Sequence, residues 1–222
     1  MKITVFAATG GIGRCVLDQA LAAGHEVTAV VRDPSKVPST VHTVRADLST
    51  VEPGVLETAV GGADAVLSGL GPRNARQPNA ITSAGTKAII SAMKATGARR
   101  IVVVSAAPVS TTPSPDRPNP PRHDPAEGFI MRNVLTPGIR RLFHDHYTDL
   151  AIMEDALRAS GLDWTSVRPP KLTDKPLTGQ YRLAHEQNIR SGATISRADV
   201  AHYMLACLDD PSSIGHCVGI AT

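Results

Sequence analysis

Short runs rich in β-branched residues recur down the first half of the chain: ITVFA (3–7), EVTAVV (26–31), VHTVRA (41–46), DAVLSGL (64–70) and RIVVVS (100–105). Segments of helical spacing separate them. Near-continuous apolar strands need cover on both faces, and helices between them supply it, so this alternation predicts a parallel sheet with crossover helices. Two crossover helices are explicit. IGRCVLDQALAAG (12–24) closes on Gly24, and NAITSAGTKAIISAMKATG (79–97) closes on Gly97, both placed as helix C-caps.

The pattern breaks after Ser105. Seven prolines stand between Pro108 and Pro125, and proline suits neither a helix interior nor a central strand, so a long loop follows, either a lid or a poorly ordered segment. Helical spacing returns around 138–160. DWTSVRP (163–169) then reads as a sixth strand, ISRADVAHYMLACLDD as a late helix starting near Ser196, and HCVGIA (216–221) as the last strand. The expected fold class is α/β, a Rossmann-type doubly wound parallel sheet, in one domain over 1–222 with acceptor-site insertions at about 106–146 and 169–195.

At 222 residues and 42% hydrophobic composition the chain can bury one sizeable core. A formal charge of +3 spread without a basic run argues against nucleic acid as partner. The absence of a long apolar stretch or secretory leader argues against a membrane and for a cytoplasmic protein. Cys15, Cys207 and Cys217 show neither disulfide nor zinc spacing and read as reduced, buried thiols. A monomer or homodimer is expected.

FAATGGIG (6–13) joins the first strand to the first helix. Glycines at such a turn let backbone approach a pyrophosphate, which then sits on the free N–H groups and the positive end of the helix. The frame is Ala7, Gly10, Gly13, the spacing of short-chain dehydrogenases with alanine at the first position. Thr9, Gly10, Gly11, Ile12 and Gly13 are therefore candidate cofactor contacts. An acidic residue ending the second strand would bind the ribose 2′-hydroxyl of NAD, whereas an arginine there accommodates the 2′-phosphate of NADP. Arg32 occupies that position, with Asp33 beside it and with Arg14 and Lys36 as further nearby charge. NADPH is thus expected in preference to NADH. Asp47 and Leu48, after the third strand, are placed to meet the adenine; a solvated loop acid is the alternative for Asp47.

Most alcohol-oxidising members of this group use a Tyr-x-x-x-Lys pair, in which the lysine lowers the tyrosine pKa for proton transfer. No tyrosine here has that partner: Ala151 follows Tyr147, His185 follows Tyr181, and Cys207 follows Tyr203 at the required spacing. Alcohol–ketone chemistry is disfavoured. Ser105, at the end of the fifth strand, is a candidate for bonding substrate or nicotinamide.

ATGGIG, EVTAVVRDPSKVP, DAVLSGLGPRN, SGLDWTSVRPPKLTDKPLTGQYR and ISRADVAHYMLACL together resemble the atypical short-chain dehydrogenases, and within them the flavin reductase group that includes biliverdin reductase B. The run from Pro169 to Tyr181 carries the most specific part of the likeness. The resemblance implies a nicotinamide cofactor along the first four strand ends, with Gly69, Leu70 and Gly71 at the fourth. It also implies Ser105 near the nicotinamide and a loop of Pro169, Pro170 and Leu172 closing over it. Lys171 stands where the relative has histidine and by that position would bond acceptor oxygens or cofactor phosphates. The stretch 106–146 matches poorly.

Flavin reduction suits this inventory, since hydride passes directly between two flat rings and the protein need only orient them. The expected function is NAD(P)H-dependent reduction of a flat acceptor such as free flavin or a quinone. The alternative is a non-catalytic NADP-binding redox sensor, as among NmrA-like relatives. Phe129, Phe143 and Tyr147 could stack on the acceptor or simply pack the helices. His144, Asp145 and His146 fail as a metal site, because alternate residues on a helix diverge, and read as a solvated helix start. Glu154, on an otherwise apolar helix face, is expected to pair with a base such as Arg168.

Overall fold

The computed structural model describes residues 1–50, 52–71, 80–126 and 143–222. Phe129 lies outside these residues. β1 (Lys2–Phe6) runs through the glycine turn into α1 (Gly11–Ala22), which returns to β2 (Glu26–Val31) and β3 (His42–Arg45). α2 (Pro53–Val60) leads to β4 (Ala65–Ser68), and α3 (Ile81–Thr96) to β5 (Arg100–Val104). After a 3₁₀ turn over Ala107–Thr111 come α4 (His144–Arg158), β6 (Asp163–Arg168) and β7 (Lys171–Thr173). β8 (Arg182–His185), β9 (Thr194–Ser196), α5 (Arg197–Ala206) and β10 (His216–Ala221) complete the order.

Eight strands form one sheet in the order β3-β2-β1-β4-β5-β6-β10-β8. All pairings are parallel except β8, which runs antiparallel to β10 with Val218 opposite His185. The chain is therefore the doubly wound α/β sheet that the strand alternation predicts. One face carries α1 and α5 over Val5, Leu17, Val27 and Met204; the other carries α2, α3 and α4 over Phe6, Leu56, Ile89, Met93 and Leu157. The two faces exchange at β1 and β4, where successive crossovers leave in opposite directions and open a crevice at the strand ends.

The N-terminal ends of α1 and α3 and one carboxylate border that crevice, while the C-terminal ends of both helices lie at the opposite edge of the sheet. Gly24 and Gly97 take left-handed φ of 78° and 80° after α1 and α3, as their placement as caps requires. α3 begins after Ala80 with no side-chain cap of its own, but Asp149 of α4 accepts from the Thr82 and Ser83 N–H groups at 2.8 and 3.0 Å. α1 begins at Gly11 with no side-chain cap, so its first-turn N–H groups are left for a ligand.

Four elements lie outside the sequence reading: α2, β7, β8 and β9. The proline-rich stretch forms a folded-back segment over its described part. Arg117 donates to the Val109 and Thr112 carbonyls, and Asp116 N–H reaches the Asp155 carboxylate at 3.2 Å, which ties the segment to α4. Cys207 and Cys217 are buried, whereas Cys15 is only partly so. No described helix is long and apolar enough to cross a membrane.

Candidate functional site

The glycine turn is built by exclusion of side chains. A Cβ on Gly13 would lie 2.1 Å from the Ala7 carbonyl oxygen and 2.8 Å from its carbon, and one on Gly69 would lie 2.8 Å from Gly13 N. Gly10 donates its N–H to Ala7 O at 2.8 Å, and a Cβ there would lie 3.1 Å from the same oxygen. The alanine that replaces the family's first glycine sits at φ 55°, in the left-handed region that glycine enters freely. Ala7 keeps the geometry of a glycine without being one.

From this turn a cavity of about 1070 Å³ runs along the carboxyl ends of the parallel strands. Its size lies at the upper end for small-molecule sites, which suits a dinucleotide together with an acceptor. Thr9, Gly10, Gly11 and Ile12 line its middle, Arg32, Asp47 and Leu48 one end, and Gly69, Leu70 and Gly71 the floor beyond β4. At the other end stand Ser105, Pro169, Pro170 and Leu172. The structure thus gathers residues from six strand ends that the sequence reading had named separately.

Three named residues stand outside the lining. Gly13 is buried beneath the turn, where its missing side chain lets α1 approach β1 and β4. Arg14 turns its guanidinium onto Asp18 at 2.9 Å and the Lys36 carbonyl at 3.3 Å, along the outer face of α1. Lys171 is an exposed residue of β7, paired in register with Thr194.

The end at β2 and β3 carries charge of both signs, with Lys36 3.5 Å from the Asp33 carboxylate. Arg32 and Lys36 are both exposed to it, and the Asp47 carboxylate is occupied by Ser49, accepting from its N–H at 3.0 Å and its hydroxyl at 2.7 Å. Those Ser49 bonds, with the Arg32 charge, hold Asp47 below the usual carboxylate range. Arg197, at the start of α5, also borders the cavity, beside Gly11.

The opposite half is only partly legible in the sequence, through Phe143 and Tyr147. Phe143, directly before α4, and Asp145, His146, Tyr147, Asp149 and Leu150 of α4 form its wall, whereas only Ala106 does so among residues 106–126. The reading of His144 to His146 as a solvated helix start is corrected at His146: His144 and Asp145 are exposed, but His146 is half-buried with its ring 5.5 Å from that of Tyr147. Burial lowers its pKa, against a weaker pull from Asp149, so the imidazole is neutral at pH 7. The signal lay in an aromatic and two histidines opening a helix directly after an unassigned stretch. Phe143 and Tyr147 are legible as stacking residues, whereas His146 is legible only as a rejected metal ligand.

Beneath this wall Glu154 is fully buried and accepts from Arg168 Nε at 2.8 Å, Arg168 Nη2 at 2.5 Å, Ser166 Oγ at 3.0 Å and Arg158 at 3.1 Å. The pairing with Arg168 expected from the helix face is present. Burial alone would raise the Glu154 pKa, but the Arg168 hydrogen bonds and charge, aided by Arg158, hold it down to about 2. The network fixes the end of β6 directly before Pro169 and Pro170. Ser105, 5% exposed, bonds through its backbone N–H to Val167 O at 2.7 Å. Its hydroxyl lies near Glu154 yet has no partner of ordinary hydrogen-bond geometry, so a buried hydroxyl is left available at the cavity wall.

A family sequence pattern described as NAD(P)H-binding matches residues 7–211. UPF0659 protein C216.03 of Schizosaccharomyces pombe is 28% identical over 96% of this chain and 87% of its own. Among solved structures, a short-chain dehydrogenase/reductase from Veillonella parvula DSM 2008 in complex with NADP superposes with a TM-score of 0.76 at 20% identity, covering 100% of this chain and 94% of its own. A candidate NADH-flavin reductase from Streptococcus pneumoniae TIGR4 does so with a TM-score of 0.73 at 25% identity, covering 100% and 99%.

Proposed function

Because the chain belongs to the NAD(P)H-binding family and has its short-chain-dehydrogenase-like Rossmann fold, we propose that it is a reductase that takes hydride from NADPH and gives it to a flat acceptor such as free flavin or a quinone. The observation that carries this reading is the single continuous cavity. It runs from Arg32 and Lys36 at one end, past the glycine turn in its middle, to Ser105, His146, Phe143 and Tyr147 at the other.

The residues fit the cofactor. The missing side chains of Gly10 and Gly69 let the turn close tightly on Ala7 and Gly13, and α1 opens there with no side-chain cap, so its first N–H groups are free to meet a pyrophosphate. Arg32 and Lys36 would hold the 2′-phosphate, Gly69 to Gly71 would pass the ribose, and Ser105 would offer its hydroxyl to the carboxamide. When bound, the reduced nicotinamide supplies the hydride. Pro169, Pro170 and Leu172 would exclude water from one side, while Phe143 and Tyr147, their rings 6.2 Å apart, face the acceptor from the other. A neutral His146 can hydrogen-bond a ring heteroatom without adding charge. The partner is a small molecule, and no proton relay is required beyond solvent, in keeping with the missing Tyr-x-x-x-Lys pair.

The test follows NADPH absorbance while the protein is given free flavins, quinones and simple ketones in turn. Turnover with flavin or quinone and none with ketones is expected. Turnover of ketones, or tight NADPH binding with no turnover of any acceptor, would overturn the reading, the second outcome in favour of a redox sensor.

A further inference from the structure

Arg197 lies within ISRADVAHYMLACL, a stretch of the family likeness that assigns it no role. Its position follows from strand register: parallel β7 and β9 pair Leu172 with Ile195 and Thr173 with Ser196, so the next residues, Asp174 and Arg197, emerge side by side. Their side chains form an ion pair at 2.5 Å, with Asp174 87% exposed and Arg197 30%. The segment carrying Asp174 is tied to the first turn of the same helix. Asp199 accepts from the Thr178 N–H at 2.8 Å, the Thr178 hydroxyl at 3.0 Å and the Gly179 N–H at 2.9 Å, and Ser196 completes the cap.

On the other side Arg197 lies across the glycine turn. A Cβ on Gly11 would meet its Nε at 2.7 Å and its Cδ at 2.8 Å, so the guanidinium stem rests on the backbone that opens α1. That is where the α1 N–H groups face the cavity, and Arg197 borders the same space.

Resting on the cofactor reading above, we propose that Arg197 is a phosphate-holding residue of the dinucleotide site, parked beside the turn by an exchangeable pair with Asp174. An exposed ion pair is weak and readily traded, whereas a guanidinium offers a pyrophosphate paired donors and full charge at a helix N-terminus. Binding moves Arg197 from the Asp174 carboxylate to the pyrophosphate. Asp174 is left to solvent, which its exposure allows at little cost.

The pyrophosphate is common to NADPH and NADH, so this residue and Arg32 leave different signatures. In calorimetric titrations, Arg197→Gln should weaken both cofactors by the same factor, about ten- to a hundredfold, leaving their ratio unchanged. Arg197→Lys should lose less. Asp174→Asn should tighten both several-fold, because the competing anion is gone. Thermal melting of each variant checks that α5 remains folded. Unchanged affinity in a folded Arg197→Gln protein would overturn the assignment, as would a changed ratio, and weaker binding by Asp174→Asn would overturn the parked arrangement. If the unmodified protein binds neither dinucleotide, the cofactor reading fails first and this inference with it.

Discussion

Gly13→Val should abolish NADPH binding and destabilise the chain. The cause is steric: the first added carbon would lie 2.1 Å from the Ala7 carbonyl oxygen and 3.3 Å from Ala8 Cα, both backbone. A flexible side chain could step aside, but these atoms belong to the turn itself. The start of α1 must therefore move away from β1 and from Gly69, whose own missing Cβ leaves room for Gly13 and nothing more. Overpacking of this kind costs about 1–3 kcal/mol and sometimes more. The uncapped N–H groups that open α1 move with the helix. Thermal unfolding and calorimetry on the same sample separate the two effects. A folded Gly13→Val protein with ordinary NADPH affinity would place the phosphate site elsewhere.

The second large effect belongs to Glu154. Replacing it with leucine leaves Arg168, 2% exposed, as an uncompensated charge and removes the acceptor for Ser166. Breaking a buried pair from one side costs about 3–5 kcal/mol, so Glu154→Leu should sit near the edge of folding. Removing both partners is different: Glu154→Leu with Arg168→Met should recover much of the loss, since neither charge is then stranded. Chemical denaturation of the two variants measures the difference. An additive double mutant would contradict the account of this network.

The same pair gives an acid signature. Glu154 has a folded-state pKa depressed to about 2, below the ordinary glutamate value, so its contribution is present above about pH 4.5 and is lost as pH falls through 2. Part of the wild-type loss of stability in acid should vanish in the double variant.

The sheet was legible because its strands are buried on both faces and announce themselves as apolar runs. β7, β8 and β9 were not: each has three or four residues, and KLT, RLAH and TIS are too short and too polar to show a period. α2 was obscured by Pro53 and Gly54 in an eight-residue helix. At the site, the glycine turn, Arg32 and Ser105 could be read because local chemistry marks them. Asp149 capping α3 from 67 residues away and Arg197 lying over Gly11 depend on contacts that no sequence window contains. Lys171 shows the converse, a family position that points outward on an exposed edge of β7. Glu154 was readable, since an acid on an apolar helix face needs a buried base.

The most direct measurement is calorimetric titration of the unmodified protein with NADPH and with NADH. One NADPH should bind per chain, more tightly than NADH by roughly ten- to a hundredfold, as expected for charge-assisted bonds to a phosphate that only NADPH carries. Arg32→Ala should narrow the gap and leave NADH nearly unchanged. Equal affinities would remove Arg32 from its assigned place, and failure of both cofactors to bind would contradict the assignment of the cavity itself.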